Sequence, residues 1–481
     1  MKGIKIIFVP IYLVSLFISI IVLVYLYYSN RIFDPSLLQY GFVLLFIFTP
    51  LYLFLSQNNK VQYFRFSLLF LLGFLIVHFQ LYLDYLIGNH TLAIIEMFKI
   101  NSVGMQGFYL ALVATFVFYF GYVTFQYIKK KNARRKSVNS KYYRVFFLKA
   151  ILIALFLTYF STSNFTYFKG NYGKVPNTSI ASYIEYFLIL TIVAYIIVVS
   201  INLKENYIKK KLSVYLKAFD YKILIIIAIY LFSVISSGDR GSIFLIAMSL
   251  FLGYIYASNK IIPVFYIVIT GIVGILFLFI IGISREIRGT SNMSIQKLQT
   301  AKKIASITKG YQSISPYTYE LSRSLRAYHG SILYVNDNGL RYGLVNLYQI
   351  SGVIPGLGRL FKIIASKSEW ELVSSKIITE YLHGYKASHG LGTTTISDIY
   401  MDFGLPGIII IFLLFGIFVR LIDENLNSKT HLKLINICFL FGFTIYAVYI
   451  GRASMAGIFR HSIVIYLIIL ISQIPYKLKT K

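Results

Sequence analysis

Arginine is unevenly placed in this chain, and its chemistry is the first clue to what the chain does. Of 15 arginines, ten fall in segments that alternate to one side of a membrane: Arg31, Arg240, Arg285, Arg288, Arg323, Arg326, Arg341, Arg359, Arg452 and Arg460. A guanidinium is a planar fork that grips phosphate oxygens in a bidentate way. The expected ligand is therefore a phosphate or pyrophosphate at the membrane–water boundary.

Three placements sharpen this. The turn Ser237-Gly238-Asp239-Arg240-Gly241 joins two apolar runs so tightly that Arg240 belongs at headgroup level. Its glycines leave backbone N–H groups open to an anion; the alternative is a solvated hairpin. In Ser284-Arg285-Glu286-Ile287-Arg288, a continuing helix would put Arg285 and Arg288 on one face by i,i+3 spacing, able to clamp one anion, or else paired with Glu286. From Ser462 to Ile474 there are only 13 residues, too few to cross about 30 Å of hydrocarbon. That helix must start near Ala456, which places Arg460 and His461 inside its outer portion. A charge there is a functional candidate by default, the alternative being snorkelling to headgroups. Arg452 lies a little further out.

A second group precedes a later apolar run. Residues 388–407 place His389 in a Gly-rich turn, ahead of an amphipathic helix bearing Asp398 and Asp402 at i,i+4. His389 could serve as general base or hydrogen-bond donor, or be a plain surface histidine. Asp398 could orient His389 or activate a sugar hydroxyl, or simply favour a helix N-terminus. Trp370, the only tryptophan, suits either a sugar ring or an interfacial anchor.

The elements that must position these residues are membrane helices. Of 481 residues, 57% are hydrophobic and 13% charged, against about a quarter charged in a soluble domain. A soluble core could not hide so much apolar surface, so lipid must cover part of it. Apolar runs of helical length fall at 4–28, 37–55, 66–87, 103–128, 145–162, 180–202, 222–237, 241–257, 261–283, 405–422, 434–450 and 456–475. This predicts an all-α, polytopic membrane protein of about 12 transmembrane helices. The first run has no small-residue cleavage site after it and reads as a span, not a removed signal.

Placing the N-terminus in the cytoplasm puts 25 basic residues in inner segments and seven in short outer loops, which satisfies the positive-inside rule and leaves both termini cytoplasmic. The net charge of +30 is explained in this way. Nothing resembles a nucleic-acid-binding module, and no nucleic-acid partner is expected. The single cysteine, Cys438, excludes an internal disulfide and a cysteine-based metal site. The expected division is 1–283 with spans one to nine, 284–404 as one large extracytoplasmic loop with amphipathic helices such as 317–335, and 405–481 with spans ten to twelve. The loop holds 14 basic and eight acidic residues; long loops escape the positive-inside rule, so its charge is free to reflect a ligand.

This pattern resembles the bacterial O-antigen and capsule repeat-unit polymerases of the Wzy type, related to O-antigen ligases. The resemblance covers most of the chain in architecture. Local matches are the Ser-Gly-Asp-Arg-Gly turn at 237–241 and the run Gly390-Leu-Gly-Thr-Thr-Thr-Ile-Ser-Asp-Ile-Tyr-Met-Asp-Phe-Gly-Leu-Pro-Gly407 leading into a span.

The resemblance implies a GT-C-like membrane glycosyltransferase of the bacterial cytoplasmic membrane. It would transfer a glycan from undecaprenyl pyrophosphate to an incoming lipid-linked repeat unit with inversion, without metal or other cofactor. In these enzymes arginines stabilise the pyrophosphate, a role that maps onto Arg240, Arg285 and Arg288, and His389 is the nearest match to the loop histidine of the ligases. From the residues themselves, Asp398 joins the catalytic candidates, and Asp239, Arg323, Arg326, Arg452, Arg460 and His461 are expected to contact substrate. Ligase relatives commonly carry His-Asn and a shorter spacing where this chain has His389-Gly390. Implied partners are undecaprenyl-pyrophosphate-linked oligosaccharides, membrane lipid, and a chain-length regulator and flippase of the same route. The chief alternative is a flippase or exporter, which should show two related halves and short loops.

Overall fold

The computed structural model describes residues 2–29, 32–56, 64–89, 92–129, 143–169, 177–204, 211–237, 239, 241–258, 263, 265, 314–315, 318–352, 356–385, 387, 390–426 and 432–478. Among them every regular element is helical. In chain order these are α1 (Lys2–Ser29), α2 (Pro35–Ser56), α3 (Phe66–Leu86), α4 (Leu92–Met97), α5 (Ile100–Lys129), α6 (Phe146–Thr162), α7 (Ser179–Lys204), α8 (Leu212–Lys217), α9 (Tyr221–Ser237) and α10 (Gly241–Ser258). There follow α11 (Tyr319–Ser322), α12 (Leu325–Asn338), α13 (Leu344–Ser351), α14 (Leu357–Ala365), α15 (Ser374–His383), α16 (Thr395–Leu426), α17 (Leu434–Thr444) and α18 (Met455–Leu478).

Eight of these are long and apolar enough to cross a membrane: α1, α2, α3, α5, α7, α10, α16 and α18; α6, α9 and α17 are shorter apolar helices. The chain is a polytopic membrane protein. The expected run 261–283 lies outside the described residues. The run expected at 434–450 is helical only to Thr444 and then passes through turns, because Val448 lies against α3, with its carbonyl filling the space beside Gly73. The amphipathic stretch expected at 317–335 is two helices, α11 and α12.

The bundle is built around α5 and α16. A Cβ at Gly121 would stand 2.3 Å from the Leu413 carbonyl oxygen, and one at Gly416 would stand 2.4 Å from that of Phe118. Backbones can approach this closely only where side chains are missing. At the periphery α1 turns Ile11, Val14, Phe17 and Ile18 outward, as a lipid-facing helix must.

Gly404 (φ 62°, ψ −156°) breaks α16 into an amphipathic segment, 395–403, and the span beyond it. Left-handed backbone of this kind favours glycine, and Pro406 opens the next turn, where its missing N–H costs nothing.

The described residues from 314 to 394 form a cap on one end of the bundle. Its attachment is polar. Asp84, at the end of α3, accepts a bond from the Ile314 N–H (2.7 Å), and Thr318 Oγ1 donates to Gln80 Oε1 (2.7 Å). His329, on α12, is fully buried between the Phe98 carbonyl (Nδ1, 2.6 Å) and the Tyr82 hydroxyl (Nε2, 2.6 Å), while Tyr328 OH donates to the Gly107 carbonyl (2.8 Å). α12 is thus pegged to α3 and α5. Burial lowers the His329 pKa to about 4, so the peg is a neutral imidazole at ordinary pH.

Candidate functional site

The two carboxylates ahead of the Gly404 bend are fully engaged. Asp402 accepts the Val345 and Asn346 backbone N–H groups (3.1 and 2.8 Å) and the Asn346 amide (2.7 Å), so it caps the first turn of α13. Asp398 accepts Thr393 Oγ1 (2.6 Å) and Gln349 Nε2 (3.1 Å), and Thr393 is reached in turn by Ser374 Oγ of α15 (3.1 Å). Both are buried. Together they hold α13 down by its start and by Gln349 near its end.

The far end of α13 delivers the backbone to Arg460. A Cβ at Gly352 would stand 2.7 Å from Arg460 Nη1, so the guanidinium lies directly against the backbone there and would have to shift for any larger residue. On its other side the guanidinium carbon lies 5.2 Å from the centre of the Tyr186 ring, a cation–π contact with α7. Arg460 Nε is buried without a hydrogen-bond partner. Among the described residues no carboxylate pairs with Arg460. His461 stacks on Tyr446 (4.9 Å, 27°) and faces Tyr186 (5.4 Å), with its Nδ1 also buried and unpartnered. α18 rises about 1.5 Å per residue, so Arg460 sits roughly 7.5 Å below its first residue. This is a half-buried cation with an unused Nε–H, inside the end of a span that carries the cap.

One residue earlier on α7, Glu185 faces another way, as consecutive helical residues must. It accepts the hydroxyl of buried Tyr230 (3.0 Å) on α9. Its field reaches Asp239 at the α9–α10 turn. Asp239 is the N-cap of α10, accepting the Gly241 N–H (2.9 Å) and Ser242 Oγ (2.8 Å). α7 therefore meets a carboxylate pair through Glu185 and a guanidinium through Tyr186.

Arg323 and Arg326 fall in a different patch, at the α11–α12 joint, where α11 packs on α3 and α12 on α5 and α16. Arg323 is exposed and lies 5.9 Å from the Tyr319 ring centre; Arg326 is half-buried, and burial followed by the Arg323 charge lowers its pKa. Arg341 Nη2 donates to the Glu371 carbonyl. Arg359 is exposed on α14. Arg452 is exposed on the turn whose Ile450 and Ala453 carbonyls receive Thr395 Oγ1, beside the start of α16. Trp370 stands 5.6 Å from Lys376 Nζ and 5.8 Å from the Tyr385 ring. Arg31, Arg240, Arg285, Arg288 and His389 lie outside the described residues. The structure thus joins Arg460 and His461, and joins Arg323 to Arg326, over different helices.

Sequence reasoning passed over Glu185, Tyr186, Tyr230 and Gln349. Glu185 alone carried a signal, as the one acidic residue in α7. No group of three or more His, Cys, Asp or Glu suited to a metal occurs among the described residues.

A family model described as O-antigen polysaccharide polymerase Wzy matches residues 6–479. No curated protein and no solved structure matches the chain.

Proposed function

Since the chain belongs to the O-antigen polysaccharide polymerase Wzy family, we propose that it lengthens O-antigen or capsular glycan by inverting transfer from undecaprenyl pyrophosphate to a lipid-linked repeat unit. In this reading a hydroxyl of the incoming unit attacks the anomeric carbon of the growing glycan. The C–O bond to pyrophosphate breaks, its electron pair leaves with the lipid diphosphate, and the hydroxyl proton passes to a base. The leaving group is already activated, so charge stabilisation and positioning matter more than strong acid–base groups.

The observation that supports this best is Arg460, a guanidinium in the outer part of α18 with an unused donor and, among the described residues, no carboxylate partner. It is the described member of the cation set, to which Arg240, Arg285 and Arg288 are assigned by sequence. His461, Arg452, Asp239, Arg323 and Arg326 are assigned to substrate contact. His389 is retained as base. Asp398 acts as a positioning residue, through Gln349 and α13, on the seat of Arg460. The cap is the extracytoplasmic loop, 284–404, both termini are cytoplasmic, and no metal takes part. A chain-length regulator and a flippase serve the same route.

The test uses purified protein with synthetic undecaprenyl-pyrophosphate repeat units and no added metal. A ladder of longer glycans is expected, lost in Arg240→Ala, Arg285→Ala and Arg460→Ala. Movement of the lipid between leaflets without a ladder would overturn the reading in favour of a flippase.

A further inference from the structure

One cap element has a surface unlike the rest. Helix α14 has the sequence Leu-Gly-Arg-Leu-Phe-Lys-Ile-Ile-Ala, and none of its nine residues is buried. At 100° per residue, Leu357, Leu360, Phe361 and Ile364 share one arc with Ile363 at its edge, while Arg359 and Lys362 lie opposite. Phe361 is half-buried and lies 6.0 Å from the Tyr348 ring of α13, the one ring contact tying the helix back to the cap among the described residues. The other four apolar side chains are open, at 38% for Leu357, 49% for Leu360, 68% for Ile363 and 74% for Ile364. Leu347 and Ile350 on α13 extend the same exposed apolar surface.

The level of this helix is set by its neighbour. α13 packs on α16 and α18. Its C-terminal glycine, Gly352, touches Arg460, roughly 7.5 Å below the first residue of α18. α18 has 24 residues and spans about 36 Å, a little more than the ~30 Å of bilayer hydrocarbon. Centred in the bilayer, it holds Gly352 at the edge of the hydrocarbon, and α14 starts five residues further on. A short helix at that depth, with an aliphatic arc and a basic back, has the composition of an interfacial helix.

We propose that α14 lies in the plane of the membrane surface on the cap side, with Leu357, Leu360, Ile363 and Ile364 among acyl chains and Arg359 and Lys362 against anionic lipid headgroups. The occupant of the exposed face is bulk phospholipid. The helix then anchors the cap edge to the bilayer, and through Tyr348 and Gly352 the anchor reaches the seat of Arg460. The proposal needs only that the chain spans a membrane, and stands apart from the reaction proposed above.

Native Cys438 is buried, so single cysteines added elsewhere can be labelled selectively. The full-length variants Ile364→Cys, Leu360→Cys and Arg359→Cys, carrying a bimane probe, are placed in vesicles of phosphatidylethanolamine and phosphatidylglycerol. Spin-labelled lipid with a shallow doxyl group is expected to quench the probes at 364 and 360 several-fold more than the probe at 359. Aqueous iodide is expected to show the reverse order. Equal iodide quenching at all three positions would overturn the proposal. So would protection of 364 from both quenchers together with crosslinking between copies, which would assign the face to a second chain. Arg359→Glu with Lys362→Glu is expected to raise iodide access at 364, and an unchanged value would remove the headgroup part.

Discussion

The two ends of the bundle treat charge in opposite ways. At the end away from the cap, Arg420 bonds Glu424 (3.2 Å) and the Tyr122 hydroxyl (3.3 Å), and Tyr122 donates to Asp423 (2.9 Å). Asp423 also accepts the Ser67 N–H (3.3 Å) at the start of α3, and Arg65 grips Ser56 at the end of α2 (2.7 Å to Oγ). Two cations meet two carboxylates, and the cluster ties α2, α3, α5 and α16 together. At the capped end Arg460 has an aromatic face and a glycine for neighbours, and no carboxylate among the described residues. Satisfied charge marks a joint, while a cation without a carboxylate partner in the end of a span is a candidate place for a ligand.

Four experiments would break or sharpen that contrast. The largest effect belongs to the joint. Arg420 and Asp423 are 5% and 4% exposed, and removing one partner of such a cluster costs on the order of 3–5 kcal/mol. Asp423→Ala is therefore expected to melt well below the parent in a detergent thermal-shift assay. A melt at the parent temperature would show that the joint carries no stability.

Arg460→Ala should do the reverse, leaving melting near the parent value while lowering the polymerisation rate by roughly 10²–10³, the scale for losing one charge-stabilising donor. Single-turnover glycan assays read this directly. An Arg460→Ala protein with parental rate would remove the distinction between the two ends.

The third test is pH. Burial holds the His329 pKa at about 4, below the unfolded value near 6.5. The unfolded state takes up a proton first as pH falls. Stability from the neutral His329 peg is therefore full above about pH 6.5 and is lost progressively as pH falls towards 4. Hydrogen exchange in α12 should accelerate from pH 7 to 5, after correction for intrinsic rates, and His329→Gln should flatten that dependence. Identical profiles in the two proteins would show that the cap is held by other groups.

The smallest effect is Asp402→Asn, which keeps a capping oxygen but removes its charge from the helix N-terminus, a loss of about 0.3–1 kcal/mol. It should loosen α13, seen as faster exchange at Val345 and Asn346, and reduce the polymerisation rate less than Arg460→Ala does. A loss as deep as that of Arg460→Ala would move Asp402 from support into the reacting centre.

Much of the frame was legible in advance because membrane helices are written in long apolar runs, and their residue count alone placed Arg460 and His461 inside the last span. The amphipathic segment with Asp398 and Asp402 ahead of the span was legible too, whereas the left-handed break at Gly404 that divides them was not. What those carboxylates bind was not. Gln349 and Asn346 lie about fifty residues upstream, and no spacing rule connects them to α16. Nor could spacing show that Arg323 and Arg326 sit over α3 and α5 while Arg460 faces α7. All are basic residues in segments of the same side, and only the docking of cap on bundle separates them. Glu185 was hidden differently: it lies in a run read for its apolar character, where one carboxylate hardly changes the average.

The close meshing of α5 and α16, Gly121 on Leu413 and Gly416 on Phe118, limits how this protein can admit a bulky lipid. Two backbones meshed tooth to tooth cannot slide or rotate past each other without first separating, so α5 and α16 behave as a fixed spindle. Any widening needed for substrate entry or product exit falls to the helices around it.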